Sequence, residues 1–172
     1  MNQFSSWVDY YLLTGAMAGQ LIGLVFVALS VGTRLETTDV ADQRTWIVPI
    51  FVQFGAVVVV AMLFVAPGLS DVVMSLGLCL VSAFALIYAV LVGLQMRRQH
   101  ATRAPIGAAD WLFGLWIPIV GYASLFEGGN MVFGGQGAAY DVVALAVAVL
   151  LLVGIRNAWT LAMWMLLNRR GV

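Results

Sequence analysis

Four polar side chains stand in otherwise apolar stretches of the sequence and are the best candidates for chemistry. They are Gln20, Gln53, Arg156 and Asn157. All four can donate hydrogen bonds, and arginine also carries a permanent positive charge. An unpaired polar group costs a few kcal/mol, roughly, where water is absent. Such groups therefore pair between helices, line a hydrated path or reach the membrane surface.

The composition identifies the surroundings of these residues. Of 172 residues, 63% are hydrophobic and 9% are charged, and the mean hydropathy is +1.01. Soluble domains have roughly a quarter of their residues charged. The sequence therefore predicts an all-α, polytopic membrane protein in contact with the lipid bilayer. Eight basic residues balance eight acidic ones, which argues against a nucleic-acid partner.

Five segments are long and apolar enough, or nearly so, to cross a hydrocarbon core that takes about 20 helical residues. They form one domain over residues 1–172. The fourth is short, and its continuation through "EGGNMVF" to residue 133 stays open. The glycine-rich stretch 127–141 is expected to be a flexible connection or a re-entrant turn. The predicted helices cover residues 10–31, 46–67, 72–95, 111–126 and 142–167.

The arginines predict the orientation of these helices, because positively charged loops stay in the cytoplasm. With five helices, seven arginines fall on one side of the membrane. The N-terminus is then outside and the C-terminus cytoplasmic. These residues are Arg34, Arg44, Arg97, Arg98, Arg103, Arg169 and Arg170.

Three glycines in the first segment, Gly15, Gly19 and Gly23, recur every four residues. This spacing places them on one helical face, where small residues let another helix approach closely. Packing within the chain is the first expectation and a subunit contact the second. Lining of a conduit is the third.

Arg156 is the one charged residue in the otherwise apolar fifth segment. It lies 13 residues before Arg169 and 14 after Val142, which predicts a position near the middle of the helix. No carboxylate stands in an apolar segment to pair with it. Three interpretations remain open: snorkelling or pairing with backbone carbonyls, binding of a lipid headgroup, and a hydrated pathway. In a ring of subunits Arg156 would form a positive collar that favours anions.

The sequence lacks the residues that known catalytic and metal sites require. There is no intramembrane serine and histidine pair, no aspartate pair and no set of histidine or cysteine ligands. Cys79 and His100 are the single residues of their types. We therefore expect no enzymatic activity, no metal and no cofactor.

Short motifs in three segments resemble a group of small membrane proteins of high-GC actinobacteria. The resemblance rests on "TGAMAGQLIGLVFVALSVGTRL", "AMLFVAPG" and "VGIRNAWTLAMWML". It implies a five-helix protein of the bacterial plasma membrane with no established reaction, although some members are labelled modulators of a membrane protease. Arg156 and Trp164 depart from the pattern, which has an apolar and an acidic residue there. The matching residues are Gly15, Ala16, Ala18, Gly23, Leu24, Phe26, Val27, Ala28, Ser30, Pro67, Gly68, Asn157, Ala158 and Trp159.

Together these patterns predict a small homo-oligomeric membrane protein with a channel-like or permeation-related role. In this hypothesis Gln20, Gln53, Arg156 and Asn157 approach one another near the middle of the membrane, and Arg156 favours anions. The alternative is a structural or regulatory subunit whose glycine face packs against a helix of a larger membrane complex.

Overall fold

The chain is helical throughout its described secondary structure. The computed structural model describes the backbone of residues 3–32, 40–102 and 107–168, and the side chains of residues 7–30, 47–98 and 107–163. We use the name fourth span for the continuous run of α4, a π-helical segment and α5. The elements are α1 (Gln3–Gly32), α2 (Val40–Val65), α3 (Asp71–Thr102), α4 (Ala108–Trp111), the π segment (Leu112–Trp116), α5 (Ile117–Phe133) and α6 (Ala139–Asn168).

Five of the helical runs are long and apolar enough to cross a bilayer. The predicted all-α, five-helix fold is therefore confirmed, and the chain is a multi-pass membrane protein. The spanning parts are Trp7–Ser30, Ile47–Val65, Asp71–Arg98, Ala108–Phe133 and Ala139–Met163.

Two helices form the interior of the bundle. Helix α2 contacts α1, α3 and α6, and α6 contacts α1, α2 and α5. In the most apolar parts of α2 and α6, 44% of the residues are buried, compared with 17% in α1. Helix α1 is therefore peripheral, with most of its surface turned away from the chain's own core.

Aromatic side chains attach the first half of α1 to the interior. Tyr11 is fully buried and stacks on Phe64 of α2 with 3.9 Å between the ring centroids. The Tyr10 hydroxyl donates a hydrogen bond of 2.7 Å to the carbonyl oxygen of Ala144 on α6. Because both contacts are close to the start of α1, they fix this end of the helix against α2 and α6.

Glycines with positive φ form two of the turns. Gly68, with φ of 75°, lies between α2 and α3, and Gly135, with φ of 66°, lies between α5 and α6. Side chains other than glycine rarely adopt this left-handed conformation. After α5, the amide of Gln136 donates to the carbonyl of Met131 at 3.0 Å, which caps the helix end.

The fourth span continues through "EGGNMVF" and ends at Phe133. Of the alternatives left open for this region, the structure has the helix that continues to Phe133, with Gly128 and Gly129 buried inside it, and a turn follows before α6. A Cβ on Gly128 would lie 2.4 Å from Cγ2 of Val143, and a Cβ on Gly129 would lie 2.9 Å from Sγ of Cys79. These glycines are needed for close approach of α5 to α6 and α3, not for chain flexibility.

Arg97 and Arg98 are exposed near the end of α3. Of the seven arginines behind the predicted orientation, these two have described side chains. The side chains of Arg34, Arg44, Arg103, Arg169 and Arg170 lie outside the described residues, as do those of His100 and Trp164.

We expect Gly128→Ala to destabilise the bundle, because the new methyl group would overlap the branched and fully buried Val143. Overpacking of this kind costs about 1–3 kcal/mol. The free energy of unfolding by SDS in mixed micelles measures the loss. Gly55→Ala is the control, since its Cβ would meet nothing within 4 Å. Equal stability of the two variants would contradict the close contact.

Candidate functional site

A change of helical pitch in the fourth span creates the candidate site. In the π segment the amide of Ile117 donates to the carbonyl of Leu112, five residues earlier. The next donor in this register would be residue 118, which is proline and has no N–H. The carbonyl of Phe113 is therefore left without its partner in the helix.

Asn157 of α6 supplies the missing donor. Its side-chain Nδ2 donates to the carbonyl oxygen of Phe113 at 3.0 Å. A backbone carbonyl within a membrane must be satisfied by the protein, because the hydrocarbon offers no hydrogen bonds. This bond links α6 to the fourth span at the point where Pro118 interrupts the backbone pattern.

Arg156 packs on the same residue of the fourth span. The central carbon of its guanidinium lies 4.0 Å from the centroid of the Phe113 ring, a cation–π arrangement. Its Nη1 donates to Oδ1 of Asn157 at 3.3 Å. Asn157 thus accepts from Arg156 and donates to Phe113, so that the three residues form one unit, which we call the Arg156 unit.

The Arg156 unit lies toward one end of the bundle. Along α6, Arg156 is about 25 Å from Ala139 and about 18 Å from Asn168, at 1.5 Å per residue. Its ring partner Phe113 is only about 8 Å from Ala108, where the fourth span starts. The position near the middle of α6 inferred from the sequence stays a prediction, and the short distance from Phe113 to Ala108 is what places the Arg156 unit toward this end of the bundle.

The two exposed arginines near the end of α3, Arg97 and Arg98, lie at this same end of the bundle. Cε of Met96 lies 3.9 Å from the position a Cβ on Gly114 would take, and Gly114 directly follows Phe113. Arg97 and Arg98 follow Met96 on α3. Arg156 is thus at nearly the same level as these two exposed arginines.

Gln53 is buried inside the bundle, with 2% of its surface exposed. Its Nε2 has no hydrogen-bond partner among the described residues. The next residue, Phe54, lies 2.6 Å from the position of a Cβ on Gly154, two residues before Arg156. Gln53 is therefore close in level to Arg156, but its amide nitrogen is not joined to the Arg156 unit.

Gln20 lies on the exposed side of α1. The structure therefore brings together Arg156 and Asn157 from the predicted set of four, places Gln53 in the core and leaves Gln20 on the outer surface. Within a single chain, the four residues therefore do not all come together as predicted.

The three glycines of α1 have different surroundings. A Cβ on Gly15 would lie 2.6 Å from Cβ of Ala61, so Gly15 packs against α2. Gly19 and Gly23 are exposed, and an added Cβ would meet nothing within 4 Å at either position. Packing within the chain thus accounts for Gly15, while Gly19 and Gly23 face outward beside Gln20.

Sequence reasoning missed Phe113 and the glycines that position α6. A Cβ on Gly121 would lie 2.8 Å from Cδ2 of Leu150, and Gly128 makes the equivalent contact with Val143. Gly121 and Gly128 are seven residues apart. Since seven residues are close to two helical turns, this spacing was the available signal for a close-packing face.

Neither a family model, nor a curated protein, nor a solved structure matches this chain. The comparisons therefore identify no family, and the resemblance to the actinobacterial group stays a prediction. What the sequence and structure define is a small multi-pass membrane protein.

We expect Asn157→Leu to destabilise the bundle by about 1 kcal/mol, the usual net value of one hydrogen bond. The cost should shrink in a Pro118→Ala background, because residue 118 regains an N–H that can satisfy the Phe113 carbonyl. A double-mutant cycle of SDS unfolding free energies measures this coupling.

Asn130→Leu serves as the control for this cycle, since Asn130 is an exposed asparagine on α5. Its effect should be the same with and without Pro118. If Asn157→Leu costs equally in both backgrounds, the assigned role of the Asn157 side chain is wrong.

Proposed function

We propose that the protein is a structural subunit that assembles in the membrane through the outer face of α1. The observation behind this proposal is that the Gln20 side-chain amide is exposed between two glycines that have no neighbouring side chain. Gln20 is exposed in the span Trp7–Ser30, and Gly19 and Gly23 leave open space beside it. We use the name α1 outer face for Ala16, Gly19, Gln20 and Gly23, which recur at three- and four-residue steps.

The chemistry of this face suits a second copy of the same chain. Small residues allow two helix backbones to approach closely in lipid, where no hydrophobic drive brings helices together. A glutamine amide both donates and accepts hydrogen bonds. Two Gln20 side chains related by a two-fold axis can therefore satisfy each other, which supports a homo-oligomer and makes a different membrane partner the competing occupant.

The channel-like role stays a prediction. Arg156 contacts Phe113 on the side of α6 that faces the fourth span, whereas α1 approaches α6 at Ala144. These two positions on α6 are 12 residues apart, which is about 120° around the helix at 3.6 residues per turn. An assembly built through α1 would not place Arg156 at its centre, so the subunit role is the better supported of the two.

We also propose the orientation with the N-terminus outside a bacterial plasma membrane and the C-terminus in the cytoplasm. The arginine distribution supports it, since arginine-rich loops are retained in the cytoplasm. In this orientation the end of the bundle that bears Arg97 and Arg98 faces the cytoplasm.

Gly19→Leu and Gln20→Leu should each weaken self-association in mild detergent or nanodiscs. The first blocks close approach, and the second removes the amide pair, worth about 1 kcal/mol and hence about a fivefold change in dissociation constant. Dissociation constants from fluorescence energy transfer between labelled copies give the measurement.

The matched control is Ala123→Leu, which adds a similar side chain to an exposed position on α5. It should leave self-association unchanged. The assembly proposal would be contradicted if the protein were monomeric at all concentrations in lipid. It would also be contradicted if neither α1 substitution changed the dissociation constant of the oligomer. Recovery of a second membrane polypeptide that Gly19→Leu releases would identify a different partner instead.

The orientation is tested with single cysteines in a Cys79→Ala background. Gln136 is exposed in the turn between α5 and α6, and Arg98 is exposed at the opposite end. We expect a membrane-impermeant maleimide to label the Gln136→Cys variant in intact cells and to label the Arg98→Cys variant after lysis. The opposite pattern would reverse the proposed topology.

A further inference from the structure

Arg156 lies at a seam between α6 and the fourth span that is open to lipid. Its guanidinium is half-buried, with the Phe113 ring on one face and Asn157 at Nη1. The neighbouring Ile155 and Trp159 are exposed, whereas Gly154 is buried against α2. The Arg156 side chain thus lies between the protein interior and the bilayer. Its remaining N–H groups can therefore donate hydrogen bonds toward the lipid.

No described carboxylate neutralises this charge. The nearest acid along the fourth span is Asp110, whose Oδ2 lies 3.4 Å from the position of a Cβ on Gly107, so that the side chain is directed back to the start of α4. The other acids with described side chains belong to the opposite end of the bundle. They are Asp9, Asp71, Glu127 and Asp141.

The level of Arg156 matches the region where lipid headgroups begin. Its ring partner Phe113 is about 8 Å from Ala108, the first residue of the fourth span, a distance that an arginine side chain can largely bridge by snorkelling. The Phe113 side chain also tilts toward Ala108, since Cα–Cβ bonds in a helix point toward its N-terminus. Trp159, exposed one turn after Arg156, has the amphipathic ring typical of the interface.

We propose that Arg156 binds the phosphate of an anionic phospholipid in this seam. The planar guanidinium offers paired N–H donors that match phosphate oxygens. Phe113 fixes the plane of the group, and Asn157 holds one of its nitrogens, so the outward edge is preorganised for the anion. This site is independent of assembly through α1.

The experiment uses the full chain in nanodiscs containing equal amounts of phosphatidylglycerol and phosphatidylcholine, followed by native mass spectrometry of the lipids that remain bound. The wild-type protein should retain phosphatidylglycerol preferentially. Arg156→Gln should reduce that preference by about fivefold, because one basic side chain near an anionic surface is worth about 1 kcal/mol. Arg156→Lys should retain part of the preference, since lysine keeps the positive charge but lacks the planar, paired N–H donors of arginine.

Arg97→Gln is the matched control, because it removes one positive charge from the same end of the bundle at an exposed position. It should leave the preference nearly unchanged. Equal loss in Arg97→Gln and Arg156→Gln, or no loss in Arg156→Gln, overturns the proposal. A second arm adds inorganic phosphate and soluble glycerophosphate: if either displaces the lipid at millimolar concentration, the site binds soluble phosphate and the lipid assignment is overturned.

Discussion

The close contact between α5 and α6 is the constraint on which the described arrangement depends. Gly121 meets Leu150 and Gly128 meets Val143, so a step of seven residues on one helix matches a step of seven on the other. Antiparallel helices in this register bring Asn157 to Phe113. Because lipid is as apolar as the side chains it contacts, such fitted contacts and hydrogen bonds, and not hydrophobic burial, hold these helices together. The position of Arg156 is therefore a consequence of glycines more than one helical turn away.

The missing N–H of Pro118 explains why a polar residue is needed on α6 at this level. A π register moves the unmatched carbonyl to Phe113, and the side chain of Asn157 replaces the absent backbone donor. The same asparagine then accepts from Arg156. One local defect in the fourth span thus organises three residues from two helices, and the charged one is held at the lipid boundary.

The sequence predicted the five spans because length and hydropathy alone determine which segments cross a bilayer. It left open whether "EGGNMVF" continues the fourth helix, since glycine and asparagine are typical of turns, and the contacts of Gly128 and Gly129 that favour a helix come from α6 and α3. Counting residues along α6 placed Arg156 near mid-helix, but depth depends on where the neighbouring helices start. The different surroundings of Gly15 and Gly19 also depend on which neighbour each one faces, and a four-residue spacing does not contain that information.

Gln20 and Arg156 are both polar and both reach the outer surface, yet a bilayer offers them different partners. An uncharged amide deep in the span can be satisfied there by another protein group, because neither water nor phosphate is present in the hydrocarbon. A guanidinium near the end of the span is within reach of headgroup oxygens and gains from their negative charge. Depth and charge together thus favour the proposed helix association for Gln20 and the proposed lipid binding for Arg156. This distinction separates two surfaces of one small bundle that composition alone would treat as the same.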